Sequence, residues 1–139
     1  MIIEKLRDFI STCPYFGEES RINVNYIGVD MSYSVDPLPC TPIIKRYTDG
    51  GTMKQFQFQL SSKELYDEDA RINIENSGFY ENFAVWLEHT KMDELDQHKK
   101  PNYFEVLNSG YLYDVDGNKA RYAIECRLIY EEEAIQWQK

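Results

Sequence analysis

The spacing of oxygen-bearing side chains between residues 114 and 125 is the feature of this sequence that most suggests chemistry. Asp114, Asp116 and Asn118 occupy the first, third and fifth positions of the stretch, and Glu125 occupies the twelfth. This is the ligand spacing of an EF-hand calcium loop. An EF-hand also needs glycine at the sixth position, where this chain has Lys119, and a helix on each side. Whether calcium fits therefore depends on the element that carries these residues.

The residues after the turn alternate with the period of a strand rather than a helix. Tyr122, Ile124, Cys126, Leu128 and Tyr130 share one face, and Arg121, Ala123, Glu125 and Arg127 share the other. On an extended strand Glu125 lies about 25 Å from the turn, too far to complete a calcium site. The stretch therefore predicts a β-hairpin and no metal. With Asp116-Gly117 as the turn, Asp114 pairs with Lys119 and Tyr111 with Tyr122, both favourable combinations.

No other residue pattern predicts catalysis or a cofactor. Cys13, Cys40 and Cys126 are odd in number and widely spaced, which favours free thiols over a disulfide framework or a structural zinc site. Nothing in the spacing brings a thiol to His89 or His98. The chain lacks a Gly-x-Ser-x-Gly nucleophile elbow and a Gly-x-x-x-x-Gly-Lys phosphate loop. We therefore expect a protein that is not an enzyme.

The elements predicted around these residues are two helices and about five strands. Apolar spacing of three and four predicts helices over 2–12 and 67–90, the second with a kink or a new start capped by Ser77. Alternation predicts strands over 22–35, with a bulge or turn at Gly28, then 43–48, 52–60, 103–115 and 118–130. Residues 36–42 are expected to form an extended connector, 88–102 an exposed polar loop, and the chain after 131 a solvated tail. The prediction is one α+β domain over 1–139, with two main helices on a twisted, mainly antiparallel sheet.

A second hairpin is predicted between residues 43 and 60, and its loop is Asp49-Gly50-Gly51. The sequence leaves its register open, because Asp-Gly, Gly-Gly or a three-residue loop each fits. We predict that the two hairpin tips are exposed and contact protein partners; they comprise Asp49, Gly50, Gly51, Asp114, Asp116 and Gly117.

The composition limits the kinds of partner. The net charge is −9, which opposes nucleic-acid binding through phosphate contacts. No apolar run is long enough to span a membrane, and the first residues lack the apolar core of a signal peptide, so we expect a cytosolic site of synthesis. The 11 tyrosines and 7 phenylalanines suit strands and protein contact surfaces.

Three segments carry a family resemblance. They are residues 36–51 followed by the strand of Phe56, Phe58 and Leu60; residues 74–83 with Trp86 and Leu87; and residues 108–114 continued by 120–130. Together they resemble the minor capsid or minor tail proteins encoded in the morphogenesis region of prophages of Gram-positive bacteria. Those proteins in turn are similar to the tail terminators of long-tailed phages. The resemblance covers most of the chain, but none of its motifs is chemically specific.

The resemblance implies a structural protein of the virion, made in the cytoplasm of the bacterial host. It implies a homo-oligomeric ring, expected to be a hexamer, that caps the tail tube and meets the head connector. It carries over no catalytic, cofactor or metal residues. Two other functions fit the residues: another protein of the head–tail neck, or a binding or inhibitor module of the host whose acidic charge meets a basic enzyme surface. An enzyme with a carboxylate site is a third class.

Overall fold

The computed structural model describes residues 2–15, 22–24, 33–65, 70–93, 95, 98–108, 110–116 and 119–134. These residues form two helices and seven strands. The helices are α1 (Ile2–Ile10) and α2 (Ala70–His89). The strands are β1 (Ile22–Val24), β2 (Tyr33–Pro37), β3 (Ile43–Arg46), β4 (Thr52–Leu65), β5 (Lys99–Val106), β6 (Tyr111–Asp116) and β7 (Lys119–Glu132).

The two longest strands, β4 and β7, form the centre of the sheet. They are antiparallel and pair without a register shift from Thr52 opposite Glu132 to Leu65 opposite Lys119. β2 and β3 pair with β4 on its other side, and β1 extends the sheet parallel to β2. β5 and β6 pair antiparallel with β7 on the side away from β4. Every strand is thereby positioned, directly or through β2, by the central pair.

One face of the sheet carries the hydrophobic core, as the alternation predicts. Phe58 and Leu60 of β4 are fully buried, and so are Ile124, Cys126 and Leu128 of β7. Both helices pack on this face through apolar residues at helical spacing, which are Leu6 and Ile10 of α1 and Phe79, Tyr80, Phe83, Trp86 and Leu87 of α2. The predicted α+β class, with two helices on a mainly antiparallel sheet, is confirmed, and the described sheet has seven strands instead of about five.

The structure corrects the prediction of an exposed loop over 88–102. Met92 and Leu95 are buried in the core, and β5 already begins at Lys99. Two isolated apolar residues in a polar segment give no periodic signal, and Pro101 disfavours a central strand. Proline is tolerated here because β5 lies at the edge of the sheet, with one strand partner among the described residues.

Other predicted boundaries also change. Residues 103–115 belong to two strands instead of one, because β5 ends at Val106 and β6 begins at Tyr111. β7 continues into the acidic run that was expected to be a solvated tail. Asp36 and Pro37 belong to β2 instead of the connector. Helix α2 is continuous through Gly78, so no new helix starts at Ser77. The turn or bulge predicted at Gly28 lies outside the described residues.

Candidate functional site

The predicted tip of the β3–β4 hairpin is a three-residue loop. Tyr47 N–H donates to the Gly51 carbonyl over 2.8 Å, and Gly50 N–H donates back to the Tyr47 carbonyl over 3.1 Å. Gly50 has a φ of +92°, in the region that favours glycine. The Asp49 carboxylate accepts a hydrogen bond from Gly51 N–H over 2.8 Å. Asp49 and Gly50 are exposed, whereas Gly51 is buried against the backbone of Glu132.

The second predicted tip is a hairpin whose register differs from the prediction. β6 and β7 do pair as antiparallel strands, but the ladder closes at Asp116 opposite Lys119. Asp114 lies opposite Arg121, not Lys119, and Leu112 instead of Tyr111 lies opposite Tyr122. The difference follows from a register shift between Leu112 and Asp114, which the alternation did not predict. Gly117 lies outside the described residues.

Among the described residues, the glutamate of the calcium-like spacing lies far from the turn, and Asn118 lies outside the described residues. Glu125 lies six residues along β7 from Lys119, which is about 20 Å of extended strand. Its carboxylate accepts a hydrogen bond from the Asn108 side-chain amide over 3.0 Å, and Glu125 N–H donates to the Asn108 carbonyl oxygen of the side chain over 3.1 Å. Glu125 is therefore used to fasten the segment between β5 and β6 onto the edge of β7.

The two predicted tips also lie far from each other. The β3–β4 loop adjoins the Thr52–Glu132 end of the central pair, and the β6–β7 hairpin closes at its Leu65–Lys119 end. Thirteen steps of strand separate the two ends, or about 43 Å. The tips therefore cannot form one common site within a single chain.

The cysteines and histidines are placed as structural residues. All three thiols are free, and burial raises the pKa of both Cys13 and Cys126, which keeps them protonated and poorly nucleophilic. His89 Nδ1 lies 2.8 Å from the Val85 carbonyl, within its own helix, and His98 Nδ1 lies 3.3 Å from Glu133. Across the ranges that the structure describes, no three His, Cys, Asp or Glu residues are grouped to hold a metal ion.

A groove that was not predicted lies between α2 and the segment joining β5 to β6. The groove encloses about 620 Å³ and is open to solvent. Val85 and Leu107 present exposed apolar side chains to it, 60% and 39% accessible. Glu81 and Glu88, both exposed, add two carboxylates. Glu88 also accepts a hydrogen bond from Val106 N–H over 3.2 Å, on the side of β5 that has no strand partner among the described residues. One part of the groove has a signal in the sequence, because Val85 is an apolar residue on the otherwise polar side of α2.

The sheet face opposite the helices carries a polar network. Arg127 donates to Glu105 through Nε over 3.2 Å and through Nη2 over 2.7 Å, and to the Gln55 side-chain oxygen over 3.2 Å. Gln57 donates to the same Gln55 oxygen over 3.1 Å. The glutamines that alternate with the core residues of β4 therefore bind side chains of the same chain. Tyr103 lies exposed beside this network on β5.

The fold and these surfaces define an acidic α+β protein with an exposed groove and exposed sheet edges. No protein-family model matches the chain, and no curated protein matches it. Neither helix combines the length and the apolar character needed to cross a membrane.

Proposed function

We propose that this protein is a structural component of a phage or prophage virion that assembles into a ring, as a tail terminator does. The ring caps the tail tube and joins it to the head connector. The protein performs no catalysis and needs no cofactor in this role. The proposal joins the family resemblance of the sequence to one structural observation, which is the distribution of exposed apolar side chains.

That observation concerns the β5–β6 side of the sheet. Seven large hydrophobic residues are exposed among the described residues, and five of them lie on β5, on β6, between these strands, or on α2 beside them: Val85, Tyr103, Leu107, Tyr111 and Leu112. Single exposed apolar residues are common, but these five lie along one side of the sheet, with Val85 on the helix face and Tyr103 on the opposite face, and such a concentration supports protein contact at this side. The concentration supports a protein that works by binding other subunits.

The net charge of −9 suits a ring through which DNA passes. Proteins that hold DNA neutralise its phosphates with lysine and arginine, and the resulting contacts slow passage through a channel. A lumen of acidic subunits lacks these contacts. The charge is a supporting consideration only, because acidic proteins serve many other functions.

Assembly of the purified protein tests the proposal. We expect negative-stain electron microscopy to show rings of uniform diameter, either with the protein alone at high concentration or after addition of tail tubes. Tubes capped by the protein should stop growing at a fixed length. Sedimentation velocity should report one oligomer with no intermediate species, since a closed ring satisfies every interface.

The contrary result is a chain that stays monomeric at high concentration and leaves tube growth unchanged. A chain that instead forms a tight 1:1 complex with a basic enzyme would support the host inhibitor module. A ring that binds the head connector but not the tail tube would place the protein elsewhere in the neck.

A further inference from the structure

The β3 edge of the sheet and the groove beside β5 carry opposite charge. β3 pairs with β4 on one side of the central strands, and the groove beside β5 lies beyond β7 on the other. β3 presents Lys45 and Arg46, both exposed, and no acidic residue. Among the described residues that line it, the groove presents Glu81 and Glu88 and no basic side chain. One chain therefore has a basic strand at one edge and, across the sheet, an acidic groove.

Both edges also combine their charge with exposed apolar surface. β3 contains a register shift between Ile43 and Lys45, and the intervening Ile44 is 45% exposed. A bulge of this kind leaves its extra residue unpaired and bends the strand, which suits presentation of a side chain. In the groove, Val85 and Leu107 flank the carboxylates. The apolar Ile44 with its two neighbouring cations on β3 therefore complements the groove, which has two apolar side chains and two carboxylates.

The charges on both edges are available to a partner. Within the described part of the chain, neither Lys45 nor Arg46 lies in an ion pair, and Lys45 only stands over the Tyr47 ring, 5.5 Å from its centre. Glu81 and Glu88 also lack a basic partner among these residues. By contrast, the pairs Lys54–Glu132 and Arg127–Glu105 are closed within the sheet.

We propose that the groove of one copy receives β3 of a second copy. This inference rests on the proposed ring assembly and names its interface. Ile44 lies against Val85 and Leu107, while Lys45 and Arg46 face Glu81 and Glu88. Because the two surfaces are different and lie at opposite edges, the contact is heterologous: each copy uses its groove for one neighbour and its β3 for the other. When each copy is rotated relative to its neighbour by a whole-number fraction of 360°, repetition of this contact closes into a ring.

Charge reversal on each surface provides the test. The strand variant carries Lys45→Glu and Arg46→Glu, and the groove variant carries Glu81→Lys and Glu88→Lys. Each should weaken self-association by about tenfold or more, measured by sedimentation velocity over a concentration series, because attraction at the contact becomes repulsion.

Mixing the two variants gives the decisive result. In an equimolar mixture, the native groove of the strand variant meets the native β3 of the groove variant, and at the next interface the two reversed surfaces meet. Assembly should therefore return in the mixture, and in a single chain that carries all four substitutions. This recovery also shows that both variants are folded.

Matched controls lie on α1. Lys5→Glu with Arg7→Glu, and Glu4→Lys with Asp8→Lys, make the same charge changes outside both surfaces and should leave assembly unchanged. If the strand and groove variants assemble like the unmodified protein, or their mixture fails to recover, the interface is wrong while ring assembly stands. An unmodified chain that stays monomeric, alone and with tail tubes, overturns both.

Discussion

At the scale of single residues, Gly110 has a role that its place in the Asn108-Ser-Gly110 sequence does not reveal. The alternation predicted one strand through this cluster, but the structure ends β5 at Val106 and begins β6 at Tyr111. A Cβ added at Gly110 would lie 2.4 Å from Cβ and 2.6 Å from Cγ of Tyr80. Tyr80 cannot move aside, because its hydroxyl binds Ser62 Oγ and donates to the Tyr122 carbonyl over 3.3 Å. Glycine is required here by packing, which only the fold reveals.

We therefore predict that Gly110→Ala lowers the free energy of unfolding by about 1–3 kcal/mol, the usual cost of overpacking. Urea denaturation followed by circular dichroism measures the change. Gly78→Ala is the matched control, since nothing lies within 4 Å of the added Cβ in the middle of α2. It should raise the stability by about 0.5–1 kcal/mol, because alanine favours a helix. Equal effects of the two substitutions would contradict the assigned contact.

At the scale of elements, predictability followed the strength of the periodic signal. The alternating Phe56, Phe58 and Leu60 fixed the core face of β4, and apolar spacing identified both helices. β5 was predicted too short, because Lys99, Lys100 and Pro101 give no alternation although they pair with the end of β7. Residues 99–101 form a strand because they pair with the end of β7. A local sequence pattern carries no information about such a distant partner.

The same limit applies to the candidate surfaces. The hairpin loops were identifiable because aspartate and glycine tolerate turn conformations. The groove was not, because Glu81 and Val85 come together with Leu107 only when α2 packs beside β5. The sequence indicates an exposed face on α2 and a short segment after β5. The distance between that face and that segment depends on the order of the strands in the sheet. Register details such as the shift in β6 likewise depend on contacts between strands.

The β3–β4 loop supplies a prediction that separates turn geometry from partner binding. Asp49→Ala removes the acceptor for Gly51 N–H and should lower the free energy of unfolding by about 0.5–1.5 kcal/mol. Asp49→Asn keeps an oxygen acceptor and should change stability by less than about 0.5 kcal/mol. Thermal and urea denaturation provide the comparison. If this tip contacts a partner through the charge of Asp49, the Asp49→Asn variant should assemble less well while its stability is preserved. If Asp49→Asn instead loses as much stability as Asp49→Ala, the result contradicts the assigned turn hydrogen bond.

At the scale of the whole molecule, the placement of charge matters more than its sum. The net charge of −9 is the same for any arrangement, yet Lys54 and Arg127 are closed in ion pairs within the sheet, whereas β3 presents Lys45 and Arg46 at its edge. Copies of an acidic protein repel one another at long range, and salt screens this repulsion within about 8 Å at physiological strength. Association therefore needs local complementarity, which opposite sheet edges supply.

The same charge argument predicts that DNA is not held by the protein. Proteins that bind duplex DNA without sequence preference have dissociation constants of about 1–100 µM, supplied by basic residues that neutralise phosphates. In this chain 24 acidic residues oppose 15 basic ones. We expect no change in the fluorescence anisotropy of a labelled duplex up to about 100 µM protein, even at about 50 mM salt, where phosphate contacts are strongest. The strand variant, whose net charge is more negative by four units, should give the same flat titration. Binding that falls steeply with added salt would reveal a basic surface, and it would argue against a ring that lets DNA pass freely.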